Sequence, residues 1–211
     1  MYSAFVNATY PNSVKLYDGT FEYNNTPIGY QNLAEKSTDL FIGVYPSEEQ
    51  KAYAESNGTT FVYTPIGTEA FVFFVNKNNP VDGLTADEIR DIYAGEIKNW
   101  KELGGVNRVI NPVTRIEGSG SQSAMDAFMG DREYGLKSVF SVTGASLGFS
   151  FRYYLSGIVG NSDVKMLSLN GVYPSAENIR NGSYPVIVQF YAIYRKDNKN
   201  ENIQLLLDWI L

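Results

Sequence analysis

Arg115, Gly118, Ser119, Gly120 and Ser121 are the residues whose types and spacing could do chemistry in this chain, and that chemistry is the capture of an anion. The stretch from Thr114 to Ser121 leads from an apolar segment through two glycines into a predicted helix over 121–129, with Ala124, Met125, Phe128 and Met129 on its apolar side. Asn111, Pro112 and Val113 break any helix before it. Glycines let the backbone approach a ligand closely, and the first N–H groups of a helix lack internal partners. The positive end of the helix dipole adds to this preference for an anion. The two serine hydroxyls are neutral donors, and Arg115 offers a planar fork that matches phosphate or carboxylate. The same residues also suit a Ser-capped helix behind a glycine turn with a surface arginine, and the motif alone leaves both readings open.

Composition removes most other chemistry. The 211 residues contain no cysteine and no histidine, which excludes the usual structural zinc sites, thiol nucleophiles and a Ser-His-Asp triad. No metal and no cofactor is therefore expected. Gly120-Ser121 is not followed by the lysine of a P-loop, and Ser119 and Ser121 have no histidine to serve as base. Glu117 is expected to pair with Arg115 and orient it instead of acting as a catalytic carboxylate, so the chain reads as no enzyme. A net charge of −6 and a pI near 4.8 argue against nucleic acid as the main partner. Hydrophobic content of 44% and charged content of 19% describe an ordinary globular protein. No apolar run is long enough to span a membrane. The lack of cysteine fits an extracytoplasmic location, with any targeting segment expected outside this sequence.

The elements that must position these residues alternate between strand and helix. Tyr2, Phe5, Val6 and Thr9 follow a helical spacing that Pro11 ends, and Tyr30, Leu33 and Ala34 mark a second short helix. Residues 39–43 read as a buried strand. Ser47 with Gln50 forms a capping box for a helix that Asn57-Gly58 closes. Residues 60–63 and 70–75 read as successive strands, the second apolar enough to be covered on both faces. Thr85 with Glu88 is another capping box, Gly95 the stop, and Trp100 is expected in the core. Tyr134, Leu136, Val139 and Phe140 mark a short helix, while residues 147–154 fit strand or helix. Residues 164–169 alternate as a half-buried strand before the Asn170-Gly171 turn. A short helix opens at Pro174-Ser175 and ends at Gly182, a long apolar strand covers 186–194, and an apolar helix covers 203–211. Such alternation predicts an α/β fold with a largely parallel sheet.

Taken together, residues 39–50, 64–76, 79–85, 89–95, 97–105, 170–174 and 207–211, with Arg115 and Gly118–Ser121, resemble the phosphate-binding proteins of ABC-type phosphate uptake, within the type 2 periplasmic-binding fold. The resemblance runs in order over nearly the whole chain. It implies two α/β lobes, each a mixed, mostly parallel sheet flanked by helices, joined by two crossing strands near Phe71 and Phe190. The first lobe is expected from residues 1–71 and 190–211, and the second, which carries the cradle, from 72–189. It further implies that Arg115, Ser119, Gly120 and Ser121 hold the anion in a cleft between the lobes, and that Thr26 offers a first-lobe hydroxyl beside a helix start.

The implied partners are phosphate or a related oxyanion and an ABC-transporter permease, for a monomeric, extracytoplasmic protein of the lipoprotein-anchored kind. Family members usually open with a strand and a glycine-serine/threonine loop, and this chain is expected to begin inside the helix that follows them. Val44-Tyr45 occupies the region where some members carry a proton-accepting aspartate, and the 130–148 segment is shorter than usual. A binding-fold module without a transport role, acting as a sensor or interaction domain with an incomplete anion site, is the alternative.

Overall fold

A computed structural model describes residues 22, 24–135, 145–159 and 163–211. The helix read at Tyr2–Thr9 lies outside these residues, as do Leu136, Val139 and Phe140 of the helix read after Tyr134. The chain divides into two compact units, one containing residues up to Gly67 together with Phe190–Leu211, the other Thr68–Gln189.

In the first unit, α1 (Thr26–Ala34), β1 (Leu40–Gly43), α2 (Glu48–Ser56) and the first part of β2 (Phe61–Asn76) are joined by the end of β8 (Ile187–Arg195) and by α6 (Asn202–Ile210). β1 pairs antiparallel with β8, Leu40 opposite Tyr194 and Gly43 opposite Tyr191. Side chains alternate across a strand, so the two faces of this pair take different helices. Ile193 packs with Tyr30 and Leu33 of α1, whereas Ala192 packs with Ile203 and Leu207 of α6. The ring of Phe41 lies so close to Gly29 and Gly43 that a Cβ at either position would fall within 2.6 Å of it. Ser47 and Gln50 form the expected capping box of α2. Val44 is buried, and its carbonyl accepts the Tyr30 hydroxyl at 2.7 Å.

The second unit holds β3 (Gly83–Leu84), α3 (Ala86–Ala94), a 3-10 turn at Trp100–Leu103, β4 (Asn111–Pro112), α4 (Gly120–Met129), β5 (Ser146–Phe151), β6 (Val164–Met166), β7 (Ser168–Leu169) and α5 (Ala176–Arg180), with the remainder of β2 and the start of β8. Its core is one continuous apolar cluster. Ala70, Phe71, Val72, Phe73 and Val75 are each at most 1% exposed, as a strand covered on both faces must be. Phe71 and Phe73 meet Phe149 of β5 and Phe128 of α4, and Tyr93 of α3 closes on Phe149. Trp100 is fully buried and donates from its indole nitrogen to Ala145 O at 2.9 Å, a core role. Thr85 caps α3 with Glu88 as expected, and Asn170 adds a second cap from far along the chain, its Oδ1 accepting the Ala86 N–H at 2.9 Å.

Several expectations are corrected. The strand pairing is mixed, as the resemblance implies, but not mostly parallel: β1–β8, β2–β5 and β2–β6 run antiparallel, β4–β5 is parallel, and β3–β7 is a parallel pair in a separate two-stranded sheet. The two strands read at 60–63 and 70–75 are one strand of 16 residues that continues through Pro65 and Gly67. The strand read as buried at 39–43 has Ile42 exposed, and among the described residues only β8 flanks it. Residues 164–169 split into β6 on β2 and β7 on β3, and the 147–154 segment is strand to Phe151 followed by a π-helical turn over Tyr154–Val159.

Candidate anion-binding site

The site is built on one strand-loop-helix passage of the second unit. β4 lies parallel to β5, with Asn111 N donating to Ala145 O at 3.2 Å and Val113 N to Leu147 O at 2.9 Å. The chain leaves the carboxyl end of β4, where α/β folds place their ligands. It then makes a tight turn in which Ser119 N donates to Ile116 O at 3.1 Å. Gly118 sits third in that turn with φ of 74°, a position that a residue with a Cβ adopts only at a cost.

Ser119 is the N-cap of α4. Its Oγ accepts from Gln122 N at 3.3 Å and its carbonyl accepts from Ser123 N at 2.9 Å. The helix starts at Gly120, one residue before the sequence reading. The Ser121 N–H has no partner among the described residues, and Ser121 is half-buried while Gly120 is buried. No acidic residue occupies the first turn of α4, whereas α2 carries Glu48 and Glu49 and α3 carries Asp87 and Glu88 in theirs. The dipole of α4 is therefore not compensated by its own first turn.

Arg115 is exposed, and its guanidinium makes no ion pair or hydrogen bond with another described residue. The pairing with Glu117 expected from the sequence is not made. Glu117 is exposed, and Ile116 beside it is 64% exposed. What holds Arg115 is its backbone, whose N–H donates to Gln122 Oε1 at 2.8 Å. Gln122 was not singled out by sequence reasoning. The signal was present, since Ser119 and Gln122 have the S-x-x-Q spacing of a capping box, but here the glutamine reaches past the cap to Arg115. Thr26, by contrast, belongs to the first unit. It is the first residue of α1, half-buried, behind the Asn25 cap whose side chain accepts from Ile28 N at 3.1 Å.

A strand end, a glycine turn, a helix start without a local acid and an arginine unpaired among the described residues make an arrangement able to hold a tetrahedral oxyanion. Comparison with known proteins agrees with the fold. The family described as PBP superfamily domain matches residues 6–211. The chain belongs to this family. Among relatives of this PBP domain, the phosphate-binding protein PstS of Bacillus subtilis is 31% identical over 123 residues, which is 53% of this chain and 40% of that protein. The phosphate-binding protein PstS of Borreliella burgdorferi is 21% identical over 216 residues, 90% of this chain and 73% of that protein. The chain thus spans less than half the length of the first of these relatives. A crystal structure from Clostridium perfringens, described as a phosphate ABC transporter substrate-binding protein with bound phosphate, superposes with a TM-score of 0.78 at 28% identity, over 99% of this chain and 86% of that one. These relatives of the PBP domain are solute-binding proteins, not enzymes. Among the described residues, no helix is long and apolar enough to cross a membrane.

Proposed function

We propose that this PBP domain is an extracytoplasmic solute-binding protein that takes up phosphate or a similar oxyanion and presents it to an ABC-transporter permease. The observation that carries the reading is Arg115, whose side chain has no partner among the described residues and whose backbone N–H is held by Gln122 of α4, a helix with no acid in its first turn. Arg115 supplies a bidentate, charge-assisted pair, and Ser119, Gly120 and Ser121 supply hydroxyl and backbone donors. Thr26 adds a hydroxyl from the first unit in the inter-lobe mode of binding that the family resemblance implies. The phosphate bound by the Clostridium perfringens protein supports phosphate as the first ligand to test. Calorimetric titration with phosphate and with sulfate tests the reading. Saturable phosphate binding that Arg115→Ala removes is the expected result; no heat with either anion overturns it.

A further inference from the structure

Gln122 is 8% exposed, and its amide has almost no freedom of choice. Its Oε1 accepts the Arg115 N–H at 2.8 Å, while its Nε2 donates to Asp126 Oδ1 at 2.8 Å and to the Tyr134 hydroxyl at 3.1 Å. The Tyr134 hydroxyl in turn donates to Asp126 Oδ1 at 2.7 Å. An ionised carboxylate only accepts and a backbone N–H only donates. Of the two ways the amide can be turned, one alone satisfies both neighbours, so Asp126 at one end dictates that a carbonyl faces Arg115 at the other. In an ordinary capping box the third helical residue turns back onto the cap N–H. Here that N–H is already taken by Ile116 O through the glycine turn, which leaves the Gln122 side chain to bridge to Arg115.

We infer that Gln122 is the positioning residue of the anion site: held by Asp126 and Tyr134, it clamps the backbone of Arg115 against the start of α4 so that the guanidinium works from a fixed root. The inference rests on the anion-binding reading of Arg115. The arginine has no other hold on the helix, since its side chain has no partner among the described residues. A preorganised root reduces the conformational freedom lost when the anion is gripped, and this is where the affinity gain arises. Asp126, although it carries a charge of the same sign as the ligand, acts at the far end of the glutamine and not on the anion.

Two measurements on the whole chain test this. Gln122→Met keeps the length of the side chain and removes its amide. Amide hydrogen exchange at Arg115 is expected to speed up at least tenfold in this variant, with exchange at Phe73 in the core unchanged. Phosphate affinity by calorimetry is expected to fall about tenfold, and the same substitution added to Arg115→Ala is expected to cause no further loss, because the effect runs through the arginine. Tyr134→Phe, which removes one hydroxyl from the network, is expected to shift Arg115 exchange in the same direction and serves should Gln122→Met fail to fold. Unchanged Arg115 exchange in the variants, or an equal loss of affinity with and without the arginine, overturns the inference. If the wild-type chain takes no phosphate, the functional reading falls, and Arg115 exchange alone decides the positioning role.

Discussion

The Tyr93 hydroxyl stands 3.2 Å from the carbonyl oxygen of Val113, at the root of the loop that carries Arg115. The same hydroxyl is 3.1 Å from Leu147 O, so one proton serves the two parallel strands where the loop departs. Burial pushes this phenol well above its ordinary pKa, and it stays a donor across the working range of pH. Tyr93→Phe takes the hydroxyl donor from both carbonyls, leaving Leu147 O with the Val113 N–H alone, and is expected to cost about 1–3 kcal/mol. Urea unfolding should show a lower midpoint with an unchanged slope.

Arg115→Ala is expected to separate binding from folding. Losing a charge-assisted bidentate partner costs about 2–5 kcal/mol of affinity, a fall of tens to thousands in the phosphate association constant. Because the side chain is exposed and unpaired among the described residues, unfolding should shift by no more than about 0.5 kcal/mol. Calorimetry and denaturation on the same preparation check both halves.

Ser119 has a structural role as the cap of α4 and a proposed binding role, and two substitutions distinguish them. Ser119→Ala removes the Oγ that caps Gln122 N and is expected to cost about 0.5–2 kcal/mol of stability. Ser119→Asp keeps the cap and suits the helix dipole, so the fold should be as stable as wild type or more so. Its carboxylate would stand where the anion is proposed to bind and should abolish phosphate binding. A variant that melts like wild type and still binds phosphate normally would remove Ser119 from the site.

Asp39 links the first unit to acid stability. Asn198 Nδ2 at 2.7 Å and Asn200 Nδ2 at 2.9 Å donate to its carboxylate, and with Arg195 nearby they hold its pKa below the usual aspartate value. A folded-state pKa that is depressed gives stability that is present above the unfolded value, about 3.9, and is lost as the pH falls through the folded value. The stability gap between wild type and Asp39→Asn should therefore be constant above about pH 5 and close on acidification, in denaturation series from pH 6 to pH 2.

What the sequence made legible was local. The capping boxes at Ser47–Gln50 and Thr85–Glu88 depend on residues three apart, and both stand as read. The Thr114–Ser121 passage was legible for the same reason. Strand direction was not, because the pairing of Phe71 with Phe151 or of Leu40 with Tyr194 is settled by partners far along the chain. Pro65 and Gly67, each of which weakens a strand taken alone, lie between the strands read at 60–63 and 70–75, yet β2 runs through both. The ion pair read for Arg115 and Glu117 failed because neighbours two apart across a turn need not face each other. Gln122 stayed hidden because its partners Arg115 and Tyr134 flank the helix on both sides, and nothing in a capping signature says where an unused amide will reach.

The pairing of β1 with β8 also sets an order of events during synthesis. Residues 68–189 form an uninterrupted unit, so its core can close while the rest of the chain is still being made. Leu40 and Phe41 emerge early but find their strand partners, Tyr194 and Ile193, only after that entire unit has been added. Such distant pairing is slow to form. Until then the edge of β1 that β8 covers presents open backbone groups, so the first unit is the part of a nascent chain that a chaperone would have to shield.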